Sequence, residues 1–245
     1  MHQNIKLIVE SDYDAMSKKA AIFFAQAVKE NPNGSFGFAT GSTPIGLYKE
    51  LVRMYKEGGL DFSGISTYNL DEYYPIARDC EESYFYFMRE HLFDHVNVNP
   101  NNMFLPDGTA PDSAVESLNY EKKLDDCGGL TVQILGIGMN GHIAFNEPAE
   151  SFEVNTRLVP LAEETIDVNS KHFPDPADIP HHAITMGIRS IMMSKNILLM
   201  ANGKAKADIM RDALLGPVTP LVPASILQLH PSVTVILDKE AGCRL

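Results

Sequence analysis

Residues 130–148 read LTVQILGIGMNGHIAFNEP, an apolar run followed by a loop rich in glycine. The run LTVQIL is typical of a buried strand, and residues 136–141 spell G-x-G-x-x-G, a pattern found in dinucleotide-binding folds. In those folds the third glycine opens a long helix that packs on the strand. Here Pro148 would break any helix begun at Gly141, so the stretch predicts a strand that delivers a loop with a different chemistry.

The same alternation of strand-like and helix-like segments continues on both sides of this stretch. The predicted strands are IKLIV, SFGFAT, GISTYNL, LTVQIL, HAITM, NILLMA and VTVIL. The predicted helices are DYDAMSKKAAIFFAQAVKE, PIGLYKELVRMYKEG, SYFYFMREHLFDHV, DSAVESLNYEKKLDD and KAKADIMRDALL, whose apolar residues recur at helical spacing. Such an alternation is typical of parallel strands joined by crossover helices. We expect an α/β fold in which residues 1–245 form a single domain, a three-layer αβα sandwich with a mostly parallel, Rossmann-like sheet.

The charge balance and the cysteines restrict the function. Lys and Arg total 20 against 32 for Asp and Glu, and the net charge of −12 argues against nucleic acid or an anionic membrane as the partner. No apolar run approaches the roughly 20 residues that span a bilayer, and the first residues lack a secretory signal, so we expect a cytoplasmic protein. Cys80, Cys127 and Cys243 are widely spaced, which indicates neither a disulfide framework nor a zinc site.

Polar residues follow four of the predicted strands. After SFGFAT come Gly41, Ser42, Thr43 and Pro44, where backbone amides, two hydroxyls and a helix N-terminus would form an anion site. The simpler alternative is an ordinary Ser/Thr N-cap without a ligand.

The other three strand ends carry groups that exchange protons or bind anions. GISTYNL leads to Asp71, which is either a general base or part of a helix cap or solvated acidic turn. LTVQIL delivers His142 and Glu147, which form either an acid–base pair or a core histidine beside an exposed glutamate. NILLMA is followed by Lys204, which either binds an anion or is freely solvated.

Ligands of open α/β sheets bind at the carboxyl ends of the strands, so the four groups are expected at one edge of the sheet. Together, an anion cradle, a carboxylate, a His/Glu loop and a lysine predict a phosphorylated small-molecule substrate and proton-transfer chemistry. The set requires no cofactor. The histidines do not match H-E-x-x-H, and we expect no catalytic metal.

These segments resemble the glucosamine-6-phosphate deaminase family over nearly the whole chain. The resemblance rests on ATGSTPIGLY at 39–48, YNLDEYY at 68–74, ESYFYFM at 82–88, GIGMNGHIAFNEPAES at 136–151, GKA at 203–205 and LQLHP at 227–231. The block GHIAFNEP is specific to these deaminases, because sugar-phosphate lactonases of the same fold usually continue differently after G-H. The resemblance implies conversion of glucosamine 6-phosphate and water to fructose 6-phosphate and ammonia, through ring opening, aldose–ketose isomerisation and deamination.

The resemblance also implies a role for each candidate residue. Asp71 is expected to move the C2 proton of the substrate, and His142, with Asn140 and Glu147, is expected to open the sugar ring. Glycine at 138 would let the backbone approach the substrate closely. The positions that match the phosphate-binding residues of the family are Gly41, Ser42, Thr43 and Lys204.

Two positions depart from the family pattern. Asn140 stands where some relatives have an aspartate, so it can orient a neighbour but cannot take a proton, which leaves proton transfer to His142 and Glu147. Lys171 stands where relatives often have a phosphate-binding arginine. It is a candidate substrate-binding residue that lacks the bidentate fork of arginine.

The chain ends at Leu245, without the C-terminal extension of the larger, allosterically activated hexameric members. We therefore expect a non-allosteric enzyme that is a monomer or a small homo-oligomer. A galactosamine-6-phosphate deaminase is an alternative, since it differs at one hydroxyl that the motifs do not resolve. A non-catalytic sugar-phosphate-sensing domain is another, although such a sensor would tolerate the loss of Asp71 or His142, and this chain keeps both.

Overall fold

A computed structural model describes residues 4–161, 166, 173 and 179–245 of the protein. Its strands are β1 (Ile5–Glu10), β2 (Ser35–Phe38), β3 (Ser66–Asn69), β4 (Asp71–Tyr74), β5 (Met103–Phe104), β6 (Val132–Leu135), β7 (Arg157–Pro160), β8 (His182–Thr185), β9 (Ile197–Ala201) and β10 (Val233–Asp238). A seven-stranded sheet has the order β1-β10-β9-β6-β2-β3-β5. All of its neighbouring strands are parallel, which confirms the predicted mostly parallel sheet.

Helices flank this sheet, as the predicted α/β sandwich requires. The α-helices are α1 (Tyr13–Glu30), α2 (Ile45–Lys56), α3 (Tyr84–His91), α4 (Ser113–Asp126), α5 (Ile188–Met192) and α6 (Ala207–Leu215). Asp12 begins α1 by accepting a hydrogen bond from the amide of Ala15, and Asp112 begins α4 in the same manner. Among the described residues, no helix has the length and apolar character needed to cross a membrane.

The core lies between the helices and the sheet. Phe24 of α1 is fully buried, and its ring centroid lies 5.2 Å from that of Phe36 and 5.3 Å from that of Phe38, both on β2. Burying each such ring stabilises the fold by on the order of 2 kcal/mol. Tyr120 of α4 is also fully buried, and its hydroxyl donates a hydrogen bond to the carbonyl of Asn69 at the end of β3. These contacts fix the strand ends that carry the candidate site.

A smaller antiparallel sheet has the strand order β4-β8-β7. The segment HAITM is a strand, as predicted, but β8 pairs antiparallel with β4 and β7 and does not join the parallel sheet. The sequence does not indicate β4 or β7 as strands. The reason is local: DEYY is short and begins with two carboxylates, and RLVP has a partly exposed pattern, so neither shows the apolar run of a buried strand.

The order of the central strands explains how distant segments reach one place. β9, β6, β2 and β3 are consecutive neighbours in the sheet and all run parallel. They are the strands that precede Lys204, His142, Gly41 and Asp71. The loops that leave their carboxyl ends therefore lie along the same edge, which confirms the convergence predicted from the sequence.

Candidate active site

In the loop after β6, the side chain of His142 packs against the backbone of Gly138. Residues 136–147 form turns, and no helix begins at Gly141, so the G-x-G-x-x-G pattern does not build a dinucleotide site. Gly141 has a φ of +89°, which a glycine adopts without strain. The amide of Gly138 donates a hydrogen bond to the carbonyl of His142 at 2.9 Å. A Cβ at position 138 would lie 2.3 Å from Cε1 of His142, so glycine is needed there to make room for the imidazole.

His142, Glu147 and Asn140 form a compact group. Nδ1 of His142 lies 2.9 Å from Oε1 of Glu147, which is ion-pair distance, although the two groups are not aligned as a hydrogen bond. Asn140 donates from Nδ2 to Oε2 of Glu147 at 2.5 Å and accepts at Oδ1 from the amide of His142 at 3.2 Å. Burial acts to raise the pKa of Glu147, but its contacts with His142 and Asn140 together outweigh burial, so the pKa is lowered. A charged Glu147 can orient the imidazole and stabilise its protonated form.

The turn between the histidine and the glutamate is tied to the small sheet. Asn146 is buried, and its Nδ2 donates to the carbonyls of Ile143 at 3.0 Å and Met186 at 2.9 Å. Arg157 of β7 donates to Oδ1 of Asn146 at 3.0 Å. We call the loop of residues 136–147 the reactive loop. The Asn146 side chain links it to the segment after β8 and to β7, which restricts the positions that the loop can take.

Asp71 and Glu72 open β4 as two buried carboxyl groups, 6% and 2% exposed. Glu72 accepts hydrogen bonds from the amides of Tyr84 at 2.8 Å and Phe85 at 2.9 Å, at the start of α3. Burial, and then the charge of Glu72, raise the pKa of Asp71 to about 8. Burial also raises the pKa of Glu72 to about 7, against the opposing effect of its hydrogen bonds to backbone amides. The acidic pair is thus no solvated turn, and Asp71 is placed to exchange a proton near neutral pH.

The loop between β2 and α2 presents amides at a helix N-terminus. Gly41 has a φ of +96°, a conformation that favours glycine. Within the part of the chain that the structure describes, the amides of Gly41, Ser42 and Thr43 donate no hydrogen bond. The N-cap of α2 is Pro44, which offers no capping side chain, so the alternative of an ordinary Ser/Thr cap is wrong. Free amides at the start of a 12-residue helix form an anion cradle.

The connection from β9 to α6 brings Lys206, rather than Lys204, to a cavity that the cradle residues also line. Both lysines belong to a short 3-10 turn, in which successive residues point about 120° apart. Lys204 is exposed and is not among the described residues that line the cavity. Lys206 lines the cavity and donates from Nζ to the carbonyl of Ile137 at 2.7 Å, and burial lowers its pKa. The predicted candidate Lys171 lies outside the described residues.

One cavity of about 380 Å³ lies at the carboxyl edge of the sheet and is lined by most of these groups, but Asn140 and Glu147 are not among the described residues of its lining. Its lining includes Gly41, Ser42, Thr43, Asp71, Tyr84, Gly138, His142, Phe145 and Lys206. The rings of Tyr84 and Phe145 are parallel to within 5°, with centroids 6.3 Å apart, and form an aromatic wall. A groove of about 390 Å³ beside α1 is equally large, but its lining contains no histidine and a single carboxylate. Acid–base chemistry therefore points to the first cavity. In the described ranges, no cluster of three His, Cys, Asp or Glu could hold a metal ion.

The fold and this cavity together define a class: α/β proteins with an anion cradle, a buried carboxyl and a His–Glu pair at the carboxyl edge of a parallel sheet. The model of the family glucosamine-6-phosphate isomerases/6-phosphogluconolactonase matches residues 11–236. The chain belongs to this family.

Relatives and solved structures agree with that membership. A glucosamine-6-phosphate deaminase of Clostridium botulinum (strain Loch Maree / Type A3) is 50% identical over 241 residues, which are 98% of this chain and 99% of the relative. A solved structure described as a monomeric glucosamine-6-phosphate deaminase is 41% identical, with a TM-score of 0.93 over 98% of this chain and 100% of its own. A 6-phosphogluconolactonase from Trypanosoma cruzi, 20% identical with a TM-score of 0.75 over 100% of this chain and 98% of its own, shares the fold.

Sequence reasoning missed three residues of the site. Lys206 lies two positions after the lysine that the motif GKA highlights, and the sequence KAK offered both lysines without distinguishing them. Tyr84 lies in the quoted segment ESYFYFM, directly after the capping residue Ser83, a position that places it at the start of a helix. Asn146 was visible only as part of the block GHIAFNEP, because its buried contacts come from segments distant in sequence.

Proposed function

We propose that the protein is a glucosamine-6-phosphate deaminase, which converts glucosamine 6-phosphate and water to fructose 6-phosphate and ammonia. The observation that carries the proposal is that one cavity is lined by a buried carboxyl, Asp71, and by His142, which come from different strands, and that His142 is paired with Glu147. Ring opening and isomerisation move protons at different atoms of the sugar, so two separate groups suit the reaction. Relatives of that name at 50% identity support it.

The phosphate of the substrate binds at the cradle formed by Gly41, Ser42 and Thr43, with Lys206 as the cation. Three amides without another described acceptor point to a bound anion, and the α2 N-terminus adds its dipole. Such a local site offsets the net charge of −12 that would otherwise repel a phosphorylated sugar. Lys206 takes the place that the family resemblance suggested for Lys204, and Lys171 stays a predicted contributor.

His142 opens the sugar ring. Its imidazole accepts the proton of the anomeric hydroxyl and returns a proton to the ring oxygen as the carbon–oxygen bond breaks, which yields the open-chain aldehyde. Glu147 orients the imidazole and stabilises it while it carries the extra proton. Asn140 keeps Glu147 in place through its 2.5 Å hydrogen bond and takes no proton itself.

Asp71 carries out the isomerisation. As a carboxylate it accepts the proton from C2, next to the aldehyde carbonyl, while the carbonyl oxygen gains a proton to form an enol. Return of a proton to C1 leaves an imine at C2, and addition of water to C2 releases ammonia and gives fructose 6-phosphate. The pKa of about 8 makes Asp71 a stronger base than an exposed aspartate once it is deprotonated.

A coupled assay tests this function directly. Purified protein is incubated with glucosamine 6-phosphate, and ammonia and fructose 6-phosphate are measured in parallel. Galactosamine 6-phosphate and 6-phosphogluconolactone are run beside it, since the first tests the epimeric alternative and the second tests the lactonase activity of the wider family. Turnover of the gluco substrate with equal amounts of both products is expected. Folded protein that binds the sugar phosphate without turnover would instead favour the sensor alternative.

We propose further that one domain carries the complete site and acts as a non-allosteric monomer in the cytoplasm. The solved relative with a TM-score of 0.93 is described as monomeric, which supports the assembly state. A phosphorylated sugar is retained inside cells by its charge, which suits a cytoplasmic enzyme.

A further inference from the structure

The hydroxyl of Tyr13 contacts two carbonyl oxygens of the anion cradle. Tyr13 is the first residue of α1, and its hydroxyl lies 3.1 Å from the carbonyl oxygen of Ser42 and 3.2 Å from that of Thr43. The same oxygen accepts a hydrogen bond from the amide of Gly46 at 2.8 Å. One hydroxyl therefore shares its proton between two carbonyls of the cradle and accepts a hydrogen bond from the first turn of α2. Tyr13 itself is not among the described residues that line the cavity.

This arrangement determines the direction of a cradle amide. In a trans peptide the C=O and the N–H point in opposite directions. When Tyr13 holds the carbonyl of Ser42, the amide of Thr43 in the same peptide is turned away from Tyr13. Ser42 and Thr43 both line the cavity, so this is the orientation that a phosphate-binding amide requires.

The local sequence makes room for the contact. The N-cap Pro44 has no side-chain oxygen, so the hydroxyl of Tyr13 satisfies the amide of Gly46 in the place of a conventional cap. A Cβ on Gly46 would lie 2.3 Å from Oγ of Ser17 and 3.0 Å from Cε1 of Tyr13. Glycine at position 46 is therefore what allows α1 to approach the start of α2 this closely.

We propose that Tyr13 is a positioning residue for substrate binding: its hydroxyl orients the backbone of the cradle so that the amide of Thr43 faces the phosphate. The inference rests on the proposed function, in which this loop holds the 6-phosphate. Because the phosphate takes no part in bond making or breaking, weaker positioning lowers the affinity for substrate and transition state equally. An equal loss of affinity in the ground state and the transition state raises KM and leaves kcat unchanged.

The test compares Tyr13→Phe with Tyr74→Phe. Both variants lose one hydroxyl that donates to backbone carbonyls, but the hydroxyl of Tyr74 donates to Ala110 at 2.8 Å, away from the cavity. Loss of the orienting hydrogen bond in Tyr13→Phe is expected to raise KM for glucosamine 6-phosphate about tenfold, with kcat within about twofold of the wild type. The inhibition constant of inorganic phosphate, used as a competitive inhibitor, should rise by a similar factor. Tyr74→Phe should change neither value.

Two outcomes separate this inference from the proposed function. If Tyr13→Phe keeps the wild-type KM and phosphate inhibition constant, the hydroxyl only ties α1 to α2 and the inference is wrong. If the wild-type protein does not turn over glucosamine 6-phosphate, the proposed function fails. Phosphate affinity is then measured by calorimetric titration of wild-type and Tyr13→Phe protein, where an unchanged affinity would again reject the role of Tyr13.

Discussion

Asp71 shows how burial raises the pKa of an ordinary carboxyl group into the range near neutral pH. It lies beside a second buried carboxyl, Glu72, and its pKa is raised to about 8. Replacing Asp71 with Asn keeps the shape and removes the base. We expect kcat to fall by about 10³-fold or more, since positioned proton transfer contributes on the order of 10²–10⁴. Inorganic phosphate should still inhibit residual activity or bind by calorimetry; full activity in the variant would remove Asp71 from this role.

The same pKa predicts a pH profile. Because the base acts in its deprotonated form, kcat/KM of the wild-type enzyme should rise with pH and level off above an apparent pKa of about 8. The profile is measured at substrate concentrations well below KM, where it reports the free enzyme. A profile that is flat between pH 6 and pH 9 would contradict the assignment.

The raised pKa also sets the sign of a stability effect. The native state holds the Asp71 proton up to about pH 8, whereas an unfolded chain releases it near the ordinary value of 3.8. The stability linked to this proton is therefore complete below that ordinary value and is lost as the pH rises through the folded pKa. In thermal melts, the melting temperature of Asp71→Asn relative to the wild type should increase from pH 5 to pH 9. A difference in melting temperature that stays constant from pH 5 to pH 9 would show that Asp71 is already charged in the folded protein.

Gly138 tests how closely His142 must be held. A methyl group at this position would lie 2.3 Å from the imidazole, so Gly138→Ala must displace either the ring or the loop. We expect kcat to fall by about 10²-fold, the effect of a misplacement of about 1 Å at a reacting group. Gly59→Ala is the matched control, because its Cβ would meet only ordinary contact, at 3.4 Å from the carbonyl of Met54. Equal activity of the two variants would show that His142 tolerates displacement.

At the scale of elements, Glu72 connects β4 to α3. Its carboxylate accepts hydrogen bonds from the amides of Tyr73, Tyr84 and Phe85, so it satisfies amides of the first turn of α3 from a neighbouring strand. This contact also holds Tyr84 at the wall of the cavity. The stability of α3 and the shape of the site are therefore coupled through one buried carboxylate.

Removing the carboxylate of Glu72 should lower the free energy of unfolding far more than removing an exposed carboxylate nearby. Glu72→Ala leaves one buried and two partly buried amides without their acceptor, and we expect a loss of about 3 kcal/mol in the free energy of unfolding. Glu81→Ala is the control, because Glu81 is exposed in the same connection before α3. Both are measured by denaturant unfolding at constant pH. A loss below about 0.5 kcal/mol for Glu72→Ala, the usual range of surface substitutions, would contradict the capping role.

At the scale of the whole molecule, a second buried carboxylate fixes the small sheet to the helices. Glu121 of α4 accepts hydrogen bonds from the amide of Thr156, just before β7, and from the hydroxyl of Ser190 in α5. Arg189 pairs with the same carboxylate at 3.0 Å. Because Arg157 of β7 in turn holds Asn146, the reactive loop is attached to α4 through a continuous set of hydrogen bonds.

The assembly state is the remaining prediction at this scale. The proposed non-allosteric monomer should show the mass of a single chain by light scattering and a hyperbolic dependence of rate on substrate concentration. Both measurements are made at the same protein concentration. A hexamer-sized mass together with sigmoidal kinetics would contradict the non-allosteric monomer.

Much of the architecture and part of the site could be predicted from the sequence, because both leave local patterns. Strands such as VTVIL record burial on both faces as continuous apolar runs, and Pro148 by itself excludes a helix after Gly141. The edge on which the polar loops meet follows from parallel topology. β4 and β7 were not predicted as strands, because their pairing partners and not their own residues make them strands.

The sequence by itself determined the α/β class, the edge at which the site lies, and the family resemblance carried by GHIAFNEP. Only the tertiary structure decided that Lys206 rather than Lys204 lines the cavity, that Asp71 and Glu72 are buried together, and that Tyr13 supports the cradle. The physical reason is that periodicity reports which residues are buried along one segment. Proton affinity and side-chain direction depend on groups that arrive from other segments, and folding alone brings those groups together.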